Sequence, residues 1–350
     1  MDNKVGRVQW IDILKYICIM FVMATHLESN TTFVYIFNKP FFLTGFFFAA
    51  GYVYRHKDSF GIFMKKKVKG LLWPWFFFSV FNILLSQVMS FNQHGSLLEE
   101  LKWNFLQIRG VGDGLWFVAA LFVAFIPFYF VIERYEKTSM SNFDVASLLF
   151  LSSVLAIISK IYVLYLKPEL LPWNSTALPW HLEYIFVAML WMVFGYLFRT
   201  KYEEVFDQHV KSYMVITAGI IYLLAVYIPF YLKINLEYNR IIYIIYMFAL
   251  EVISVSILIF VSKAIKPNEY TLYLGQNTLL CFALHGKVYS VMQTVIKKII
   301  SGTYSVLLGN MYTSSLTDIV LTIILSFLVL IPIYIFNRWL PWTLGKKKTN

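Results

Sequence analysis

The chain has 350 residues, of which 59% are hydrophobic and only 14% are Asp, Glu, Lys or Arg. Soluble domains average about 25% charged residues, so a soluble protein of this composition would lack the polar surface needed to cover its core. The net charge is +11, but the basic residues lie in loops between long apolar segments. We therefore expect them to set membrane topology and not to bind nucleic acid. Composition predicts an all-α, polytopic helical bundle in a membrane.

Apolar segments long enough to cross a bilayer, about 17–25 residues each, recur along the whole chain. The first begins near Ile11 and has no small-residue cleavage site after it, so we expect a retained helix and not a removable signal peptide. The predicted spans, about ten in number, are 10–27, 33–54, 70–90, 114–133, 145–166, 178–198, 212–232, 241–262, 273–295 and 316–337. With no soluble domain or internal repeat in evidence, we predict one membrane-embedded domain over residues 1–350.

Two of these spans are weaker than the rest because polar residues interrupt them. The second contains Asn38-Lys39-Pro40, and the ninth contains Gln276, Asn277, His285 and Lys287. Buried polar groups in a membrane protein face a cavity or the interior of the bundle. We therefore expect polar function to lie in these two spans.

Lys and Arg are unevenly distributed between the predicted loops. If the N-terminus is cytoplasmic, the cytoplasmic loops hold about twice as many Lys and Arg as the outer loops, as the positive-inside rule requires. This bias predicts that both termini are cytoplasmic, in a cell membrane that is most simply a bacterial plasma membrane.

In the outer connection 91–113, apolar residues from Leu98 to Ile108 recur at helical spacing, which predicts a short interfacial helix.

No pattern in the sequence indicates a metal site or a nucleotide-driven machine. Cys18 and Cys281 both lie in apolar segments, so we predict that they are packing residues and not a disulfide or metal ligands. The six histidines are scattered without ligand spacing. The absence of a glycine-rich phosphate-binding motif argues against ATP-driven transport.

The first predicted helix carries three ionisable residues, which are costly to place in lipid. Asp12 and Lys15 are three residues apart, so they lie on one face and can neutralise each other. His26 returns to nearly the same face about 16 Å further along the helix. The result is one polar stripe. A plainer interpretation stays open, in which Asp12 and Lys15 form an interfacial pair and His26 merely ends the helix.

Lys15, ten intervening residues and His26 resemble the Arg/Lys-x10-His signature of the membrane-bound acyltransferase-3 family. Asp12 matches the acidic residue that commonly precedes this signature. Further stretches resemble family patterns in the expected order, namely Phe46–Tyr52 (FFFxSGY, with Ala50 in place of Ser), the basic run and Leu-Leu-x-Pro-aromatic of Lys65–Trp75, Gly114–Leu121 (LWFxxAL) and Leu274–His285 (LGxNTLxxxxxH). The likeness thus extends from residue 10 to beyond residue 285 and is nearest to the sugar O-acetylase branch, which includes exopolysaccharide and capsule modification proteins.

The resemblance implies an integral membrane O-acyltransferase. The donor would be acetyl-CoA or a related acyl-CoA, and the acceptor a hydroxyl of a cell-surface polysaccharide or of its lipid-linked precursor. Acetyl and longer acyl groups such as succinyl both remain open, as do direct transfer and an acyl-enzyme intermediate. We expect no metal cofactor. Beyond donor and acceptor, the expected partner is membrane lipid. Whether copies of the chain form a homo-oligomer stays open.

The resemblance also implies roles for particular residues. His26 would be the catalytic base, with Asp12 and Lys15 completing the catalytic stripe. Lys66 and Lys69 match the basic motif best and would bind the phosphates of CoA, although a basic run beside a helix also sets topology and attracts anionic lipid.

Further polar or aromatic residues are candidates for lining the cavity or contacting substrate, namely His285, Glu251 and Trp116. Glu251 and Asp318 are both candidate partners for His285, and for each of these residues a purely structural role is the alternative. His181 and Glu183, near the outer end of the sixth span, are expected either to touch a polysaccharide or to be plain interface residues.

Two other functions compete with acyl transfer. A transporter or flippase that exports the glycan would also line a polar path with His, Lys and Glu. A non-catalytic partner in a polysaccharide synthesis complex is the third interpretation. The spacing of Lys15 and His26 favours the enzyme, because an exporter has no special need for that pair.

Overall fold

The computed structural model describes residues 7–27, 33–38, 40–89, 96–108, 115–138, 140–165, 177–234 and 240–346. Its α-helices are α1 (Gln9–Thr25), α2 (Phe33–Asn38), α3 (Phe42–Val53), α4 (Phe60–Lys67), α5 (Trp73–Met89), α6 (Leu97–Leu106), α7 (Trp116–Glu136), α8 (Asn142–Tyr165), α9 (Ile185–Leu197), α10 (Glu203–His209), α11 (Ser212–Tyr231), α12 (Arg240–Ala264), α13 (Glu269–Gln276), α14 (Thr278–Leu307), α15 (Met311–Leu328) and α16 (Leu330–Trp339). Short 3-10 turns at Pro179–Tyr184 and Pro341–Leu344, and π-helical turns at Val68–Leu72 and Phe198–Tyr202, extend several of them.

The described residues contain nine helical segments that are long and apolar enough to cross a membrane. They are Phe33–Val53, Phe60–Val88, Trp116–Glu136, Asn142–Val163, Pro179–His209, Ser212–Tyr231, Ile241–Ala264, Thr278–Ile300 and Met311–Trp339. Each overlaps one of the predicted spans. Helix α1, with 17 residues, is at the short end of the spanning range and corresponds to the remaining predicted span. The all-α, polytopic membrane class is confirmed.

Large apolar side chains on the outside of the described helices are consistent with a surface that faces lipid. On α8, Phe143 is 78% exposed and Phe150 is 73% exposed, and on α11 Ile216 is 64% exposed. Water would oppose this arrangement in a soluble protein, where large contiguous apolar patches are rare. The exposed apolar residues therefore support the membrane assignment independently of helix length.

Each of the two weak predicted spans is divided into two helices. In the second span, Pro40 separates α2 from α3, because proline has no N–H for the helical ladder. In the ninth, Asn277 lies between α13 and α14, and its Nδ2 donates to the carbonyl of Tyr273 at 2.8 Å. The predicted bounds 273–295 were therefore wrong, because the candidate span itself begins at Thr278 and α13 is a separate short helix.

The predicted helix in the connection 91–113 is confirmed as α6. It ends at Leu106, and its C-terminal cap Gln107 has a left-handed backbone (φ 50°). Residues 91–95 and 109–113 of this connection lie outside the described part of the chain, as does Gly114, the first residue of the family-like stretch that continues into α7.

The chain divides into two compact units. The first comprises Met1–Ala49 and Glu203–Ile333, and the second comprises Ala50–Tyr202 and Tyr334–Asn350. Helix α1 is central in the first unit, where it packs against α2, α12, α13, α14 and α15. Its residues Ile13, Leu14 and Ile19 are completely buried. The helix that carries the family-like signature is thus the core helix of its unit.

Two glycines of the first unit allow helices to approach α1 closely. A Cβ on Gly275 of α13 would collide with the backbone carbonyl of Asp12, and a Cβ on Gly45 of α3 would collide with the Cys18 thiol. Small residues at such crossings let helix backbones pack tightly within membranes. Cys18 and Cys281 are both buried as free thiols.

The second unit is built around α9, which packs against α7 and α8 and is almost entirely buried. Gly51 lies so close to the backbone of Met192 on α9 that no side chain fits there. In the same unit, the indole Nε1 of Trp73 donates to the carbonyl of Trp342 at 2.9 Å, which ties the start of α5 to the turn at 341–344.

Candidate active site

The acidic and basic residues of α1 meet at the start of the helix. Asp12 is only 2% exposed, and Lys15 Nζ lies 2.7 Å from its Oδ1. The predicted pairing of these two residues is therefore confirmed. Because α1 is the core helix of its unit, the pair lies against neighbouring helices and not on an open surface.

Arg7 is a second cationic partner of Asp12. Its Nε donates to Oδ2 at 2.5 Å and its Nη2 donates to Oδ1 at 3.0 Å. This two-point contact is the geometry that a guanidinium forms best with a carboxylate. One carboxylate between two cations leaves an excess of positive charge at this end of α1. The contact of Arg7 with Asp12 was not predicted, because Arg7 precedes the helix and helical spacing does not constrain it.

His26 lies at the opposite end of α1, where it is the C-terminal cap of the helix. Its backbone N–H donates to the carbonyl of Met23 at 3.2 Å, and its side chain is exposed. The ring of His285, from the buried side of α14, lies next to it, with 5.2 Å between ring centroids and 45° between ring planes. The structure therefore brings together two candidate site residues that are far apart in the sequence.

The backbone of α14 holds the imidazole of His285. Its Nδ1 lies 3.0 Å from the carbonyl oxygen of Cys281 and 2.9 Å from that of Phe282. Carbonyl oxygens only accept hydrogen bonds, so Nδ1 must carry the proton. In the neutral ring the lone pair is then on Nε2. His285 is only 6% exposed, so this orientation is held inside the unit.

A row of polar side chains follows the buried face of α15, which also packs on α1. Its members recur every three or four residues and are Ser315, Asp318, Thr322 and Ser326. The Thr322 hydroxyl donates to the carbonyl of Asp318 at 2.6 Å, and Ser326 is hydrogen-bonded to the phenol of Tyr270 at 2.5 Å. Burial raises the pKa of Tyr270, so this phenol stays neutral. The interior of the first unit thus contains polar groups on several helices.

Glu251 of α12 is also buried in the first unit, at 6% exposure, and Asp318 is completely buried. Both were candidates as partners of His285. Their helices belong to the unit that contains His285, and pairing of either carboxylate with that imidazole stays a prediction.

The lysine side chains of the basic run before α5 point in different directions. Lys66 is exposed and its Nζ lies 2.7 Å from Oδ2 of Asp58, while Lys69 is exposed. Lys67 instead points inward, with its Nζ 3.6 Å from the ring centroid of Phe125. The π-helical turn at Val68–Leu72 adds a residue to the helical repeat here and so changes which residues face inward. Lys66 and Lys69 are exposed to an incoming anion, whereas Lys67 is only partly exposed.

Trp116 begins α7 in the second unit and packs against a buried histidine. Its ring lies 4.8 Å from that of His181, whose Nδ1 is 3.3 Å from Oε1 of Glu183. His181 is completely buried and Glu183 is 7% exposed. His181 and Glu183 thus face each other inside the unit, and contact of either residue with a polysaccharide stays a prediction.

The turn that carries this histidine has an unusual backbone. Trp180 and His181 are consecutive residues with φ of 59° and 54°, a left-handed conformation that is uncommon for residues other than glycine. The carboxylate of Glu183 stabilises the turn by accepting the backbone N–H of Leu178 at 2.8 Å. Packing and this capping bond together hold a conformation that the sequence does not signal.

Within the described stretches, no group of three or more His, Cys, Asp or Glu side chains could hold a metal ion. The polar groups of the first unit are instead a carboxylate between two cations, a pair of imidazoles and a buried row of hydroxyls. Proton transfer and anion binding are the chemistry that such groups support.

Long apolar helices and buried ionisable groups define a multi-pass membrane protein. The chain matches the acyltransferase-3 family, described as an acyltransferase domain, over residues 8–338. Because this match covers nearly the whole chain, the protein belongs to the acyltransferase-3 family and is a membrane acyltransferase. No curated protein and no solved structure matches the chain.

Proposed function

We propose that the protein transfers an acetyl or related acyl group from acyl-CoA to a hydroxyl of a cell-surface polysaccharide or of its lipid-linked precursor, in the cell membrane. His26 is the general base. The observation that carries this proposal is the placement of charge and imidazole at opposite ends of α1, with Arg7, Asp12 and Lys15 at one end and His26 beside His285 at the other.

The length of α1 suits a CoA thioester. Lys15 and His26 are eleven positions apart in the sequence, which corresponds to about 16 Å along a helix axis. A CoA thioester is itself extended, with its phosphates at one end and its reactive carbonyl at the other, joined by the pantetheine arm. The excess positive charge beside Asp12 suits the anionic end, and the exposed imidazole of His26 suits the reactive end.

The reaction is a transfer of the acyl group from sulfur to oxygen. The acceptor hydroxyl oxygen attacks the thioester carbonyl carbon while a ring nitrogen of His26 takes the hydroxyl proton. The new C–O bond forms, the C–S bond breaks, and the departing thiolate takes the proton back from the imidazolium. The products are the ester and CoA thiol. General base catalysis of this kind contributes about 10²–10⁴-fold to a rate, and imidazole titrates in the range that this role needs.

Lys66 and Lys69, in the second unit, are separate candidates for binding the phosphates of CoA. Lysine binds phosphate as a compact point charge, and the exposed ion pair of Lys66 with Asp58 is of the kind that contributes only about 0–1 kcal/mol. An incoming phosphate can therefore replace Asp58 at little cost.

The experiment that tests this function compares the surface polysaccharide of a deletion strain with that of complemented strains by NMR. Loss of O-acyl signals at normal polymer yield, restored by the wild-type chain and not by His26→Ala, is the expected result. Loss of polymer with unchanged acylation would instead identify an exporter, the second candidate function. Full restoration by His26→Ala would leave a non-catalytic partner as the remaining interpretation.

A further inference from the structure

We propose that Arg55 and Arg199 form a binding site for a phosphate group in the second unit, where helices α3 and α9 end. The ligand class is a phosphate ester, supplied either by acyl-CoA or by the headgroup of an anionic phospholipid. The inference deepens the proposed function and rests on it only for acyl-CoA as one of these two sources. It is carried by two guanidinium groups that converge on one backbone oxygen.

The first step is this convergence. Nη1 of Arg55 and Nη2 of Arg199 both donate to the carbonyl oxygen of Tyr54, at 3.2 Å and 2.7 Å. Nη1 of Arg55 also donates to the carbonyl of Tyr52 at 3.1 Å. Carbonyls at the end of a helix carry partial negative charge, but they offset only a fraction of two full positive charges. The two guanidinium groups therefore lie close together with positive charge left over.

The second step concerns the carboxylates around this loop. Three of them act electrostatically on Tyr54, and each already has a partner. The pairs are Asp58 with Lys66, Glu133 with Lys137, and Glu136 with the phenol of Tyr196. Glu136 also attracts Arg199, but in the described part of the chain neither guanidinium forms an ion pair with a carboxylate. An anion from outside the chain would supply the charge that these residues leave unbalanced.

The third step concerns the donors that remain. A guanidinium has five N–H donors in a rigid fork that matches the oxygens of a phosphate. Among the described residues, Nε of Arg199 is buried and has no hydrogen-bond partner. The guanidinium carbon of Arg199 lies 5.5 Å from the ring centroid of Tyr196, so the ring supports one face of the group. Arg55 is exposed, which leaves the pair open to a ligand on that side.

A matched set of substitutions tests the inference in the purified full-length chain in a neutral detergent. Arg55→Gln and Arg199→Gln each remove one member of the pair. Lys57→Gln is the control, because Lys57 is an exposed cation two positions from Arg55 and its loss changes the net charge equally. Thermal denaturation shows that each variant is folded.

The first arm is isothermal titration with CoA. If acyl-CoA supplies the phosphate, we expect Kd for CoA to rise about tenfold or more in each arginine variant, because each loses charge-assisted hydrogen bonds. Lys57→Gln should stay within about twofold of wild type, since it leaves both guanidinium groups in place.

The second arm is native mass spectrometry of the same variants after addition of phosphatidylglycerol. If a lipid supplies the phosphate, the arginine variants retain less phosphatidylglycerol than Lys57→Gln does, while Kd for CoA is unchanged. Either result supports the site, and the two arms together identify the source of the phosphate.

The inference is overturned if both arginine variants match Lys57→Gln in CoA affinity and in lipid retention. The two arginines would then only cap the end of α3 and contribute to topology. If Arg199→Gln does not fold, Arg199→Lys takes its place, because lysine keeps the charge and loses the fork. We expect the same direction of change for it.

The proposed function fails separately from this site. A fully active His26→Ala variant would refute the assignment of the base and leave both binding arms as they are. Unchanged binding in the arginine variants, together with an inactive His26→Ala variant, would refute the phosphate site and leave acyl transfer intact.

Discussion

Asp12 is the residue on which the charge balance at the start of α1 depends. It is buried and has two cationic partners, of which Arg7 is 44% exposed and Lys15 is 23% exposed in their side chains. Breaking a buried ion pair by removing one partner costs about 3–5 kcal/mol, because the remaining charge is left uncompensated. The more exposed Arg7 retains access to solvent, so the cost of its removal is smaller.

We therefore expect Asp12→Asn to lower the thermal stability of the detergent-purified protein more than Arg7→Ala does. The substitution leaves two cations facing each other without a carboxylate, whereas Arg7→Ala leaves the pair of Asp12 with Lys15 intact. Differential scanning fluorimetry measures both. Adding Arg7→Ala to Asp12→Asn removes the repulsion and should recover part of the loss. Wild-type stability for Asp12→Asn would show that the ion pairs contribute nothing to folding.

At the residue scale, the sequence predicted contacts between residues that are close together on one helix. Asp12 and Lys15 were predicted to pair because they are three residues apart on one helix. Arg7 was missed because it precedes the helix, where no periodicity constrains it. The contact of His26 with His285 depends on how α14 packs against α1, and spacing along one helix carries no information about that.

Helix α13 depends on a single glycine for its fit against α1. A Cβ at Gly275 would collide with the backbone of Asp12, and backbone atoms cannot rotate away as a side chain can. The family-like stretch Leu274–His285 therefore includes a packing requirement as well as a candidate site residue.

We expect Gly275→Ala to destabilise the protein by forcing α13 away from α1, and to lower acyl transfer because Asp12 lies at that crossing. Gly219→Ala is the matched control, since nothing lies within 4 Å of a Cβ at Gly219 on α11. Alanine has the higher helix propensity by about 1 kcal/mol, so the control should be neutral or slightly stabilising. Equal melting temperatures for the two variants would refute the packing argument.

Substitutions in the basic run before α5 can separate donor binding from an effect of charge on membrane topology. Lys66→Gln and Lys69→Gln are expected to raise KM for acetyl-CoA several-fold, about threefold to tenfold, because each removes an accessible charge. Lys67→Gln should leave KM unchanged and lower stability, because its ammonium packs on Phe125, an interaction of about 0.5–2 kcal/mol. Initial rates in membrane vesicles and thermal denaturation measure the two effects. An equal rise in KM for all three variants would indicate a general charge effect at the membrane surface.

The sequence predicted most helices but not where the ninth span begins. Hydropathy detects a long apolar segment, and the predicted spans overlap those found in the described residues. The polar residues Gln276 and Asn277 marked this span as weak, but hydropathy did not predict that one helix ends there and another begins. The hydrogen bond from the Asn277 side chain to the carbonyl of Tyr273 ends α13, and such local competition with the helical ladder is invisible to an average over a window.

For the whole molecule, the sequence determined the class but not the arrangement. Composition and charge bias suffice for a polytopic helical bundle, because lipid allows few other structures. The division of the chain into two units, the second built from Ala50–Tyr202 and Tyr334–Asn350, has no counterpart in composition. The division depends on how the helices pack. It could not be predicted, because apolar residues that face lipid look the same in sequence as apolar residues that face other helices.

Membrane orientation is a property of the whole molecule that the distribution of basic residues predicts. The excess of Lys and Arg predicts that the loop containing Lys57 is cytoplasmic and that the connection leading to α6 is on the outer side. Cys18 and Cys281 are buried, so single cysteines can be introduced into the otherwise unaltered chain. Lys57 and Ser96 are both exposed in the second unit and suit this purpose.

We expect Ser96→Cys to react with a membrane-impermeant maleimide in intact cells, and Lys57→Cys to react only after the membrane is permeabilised. The physical reason is that translocating a loop as basic as 55–69 is unfavourable, while the outer connection carries few cations. The unsubstituted chain is the control and should remain unlabelled, because both native thiols are buried. Labelling of Lys57→Cys in intact cells would place the basic run outside, away from cytoplasmic acyl-CoA, and would remove Lys66 and Lys69 from the donor site.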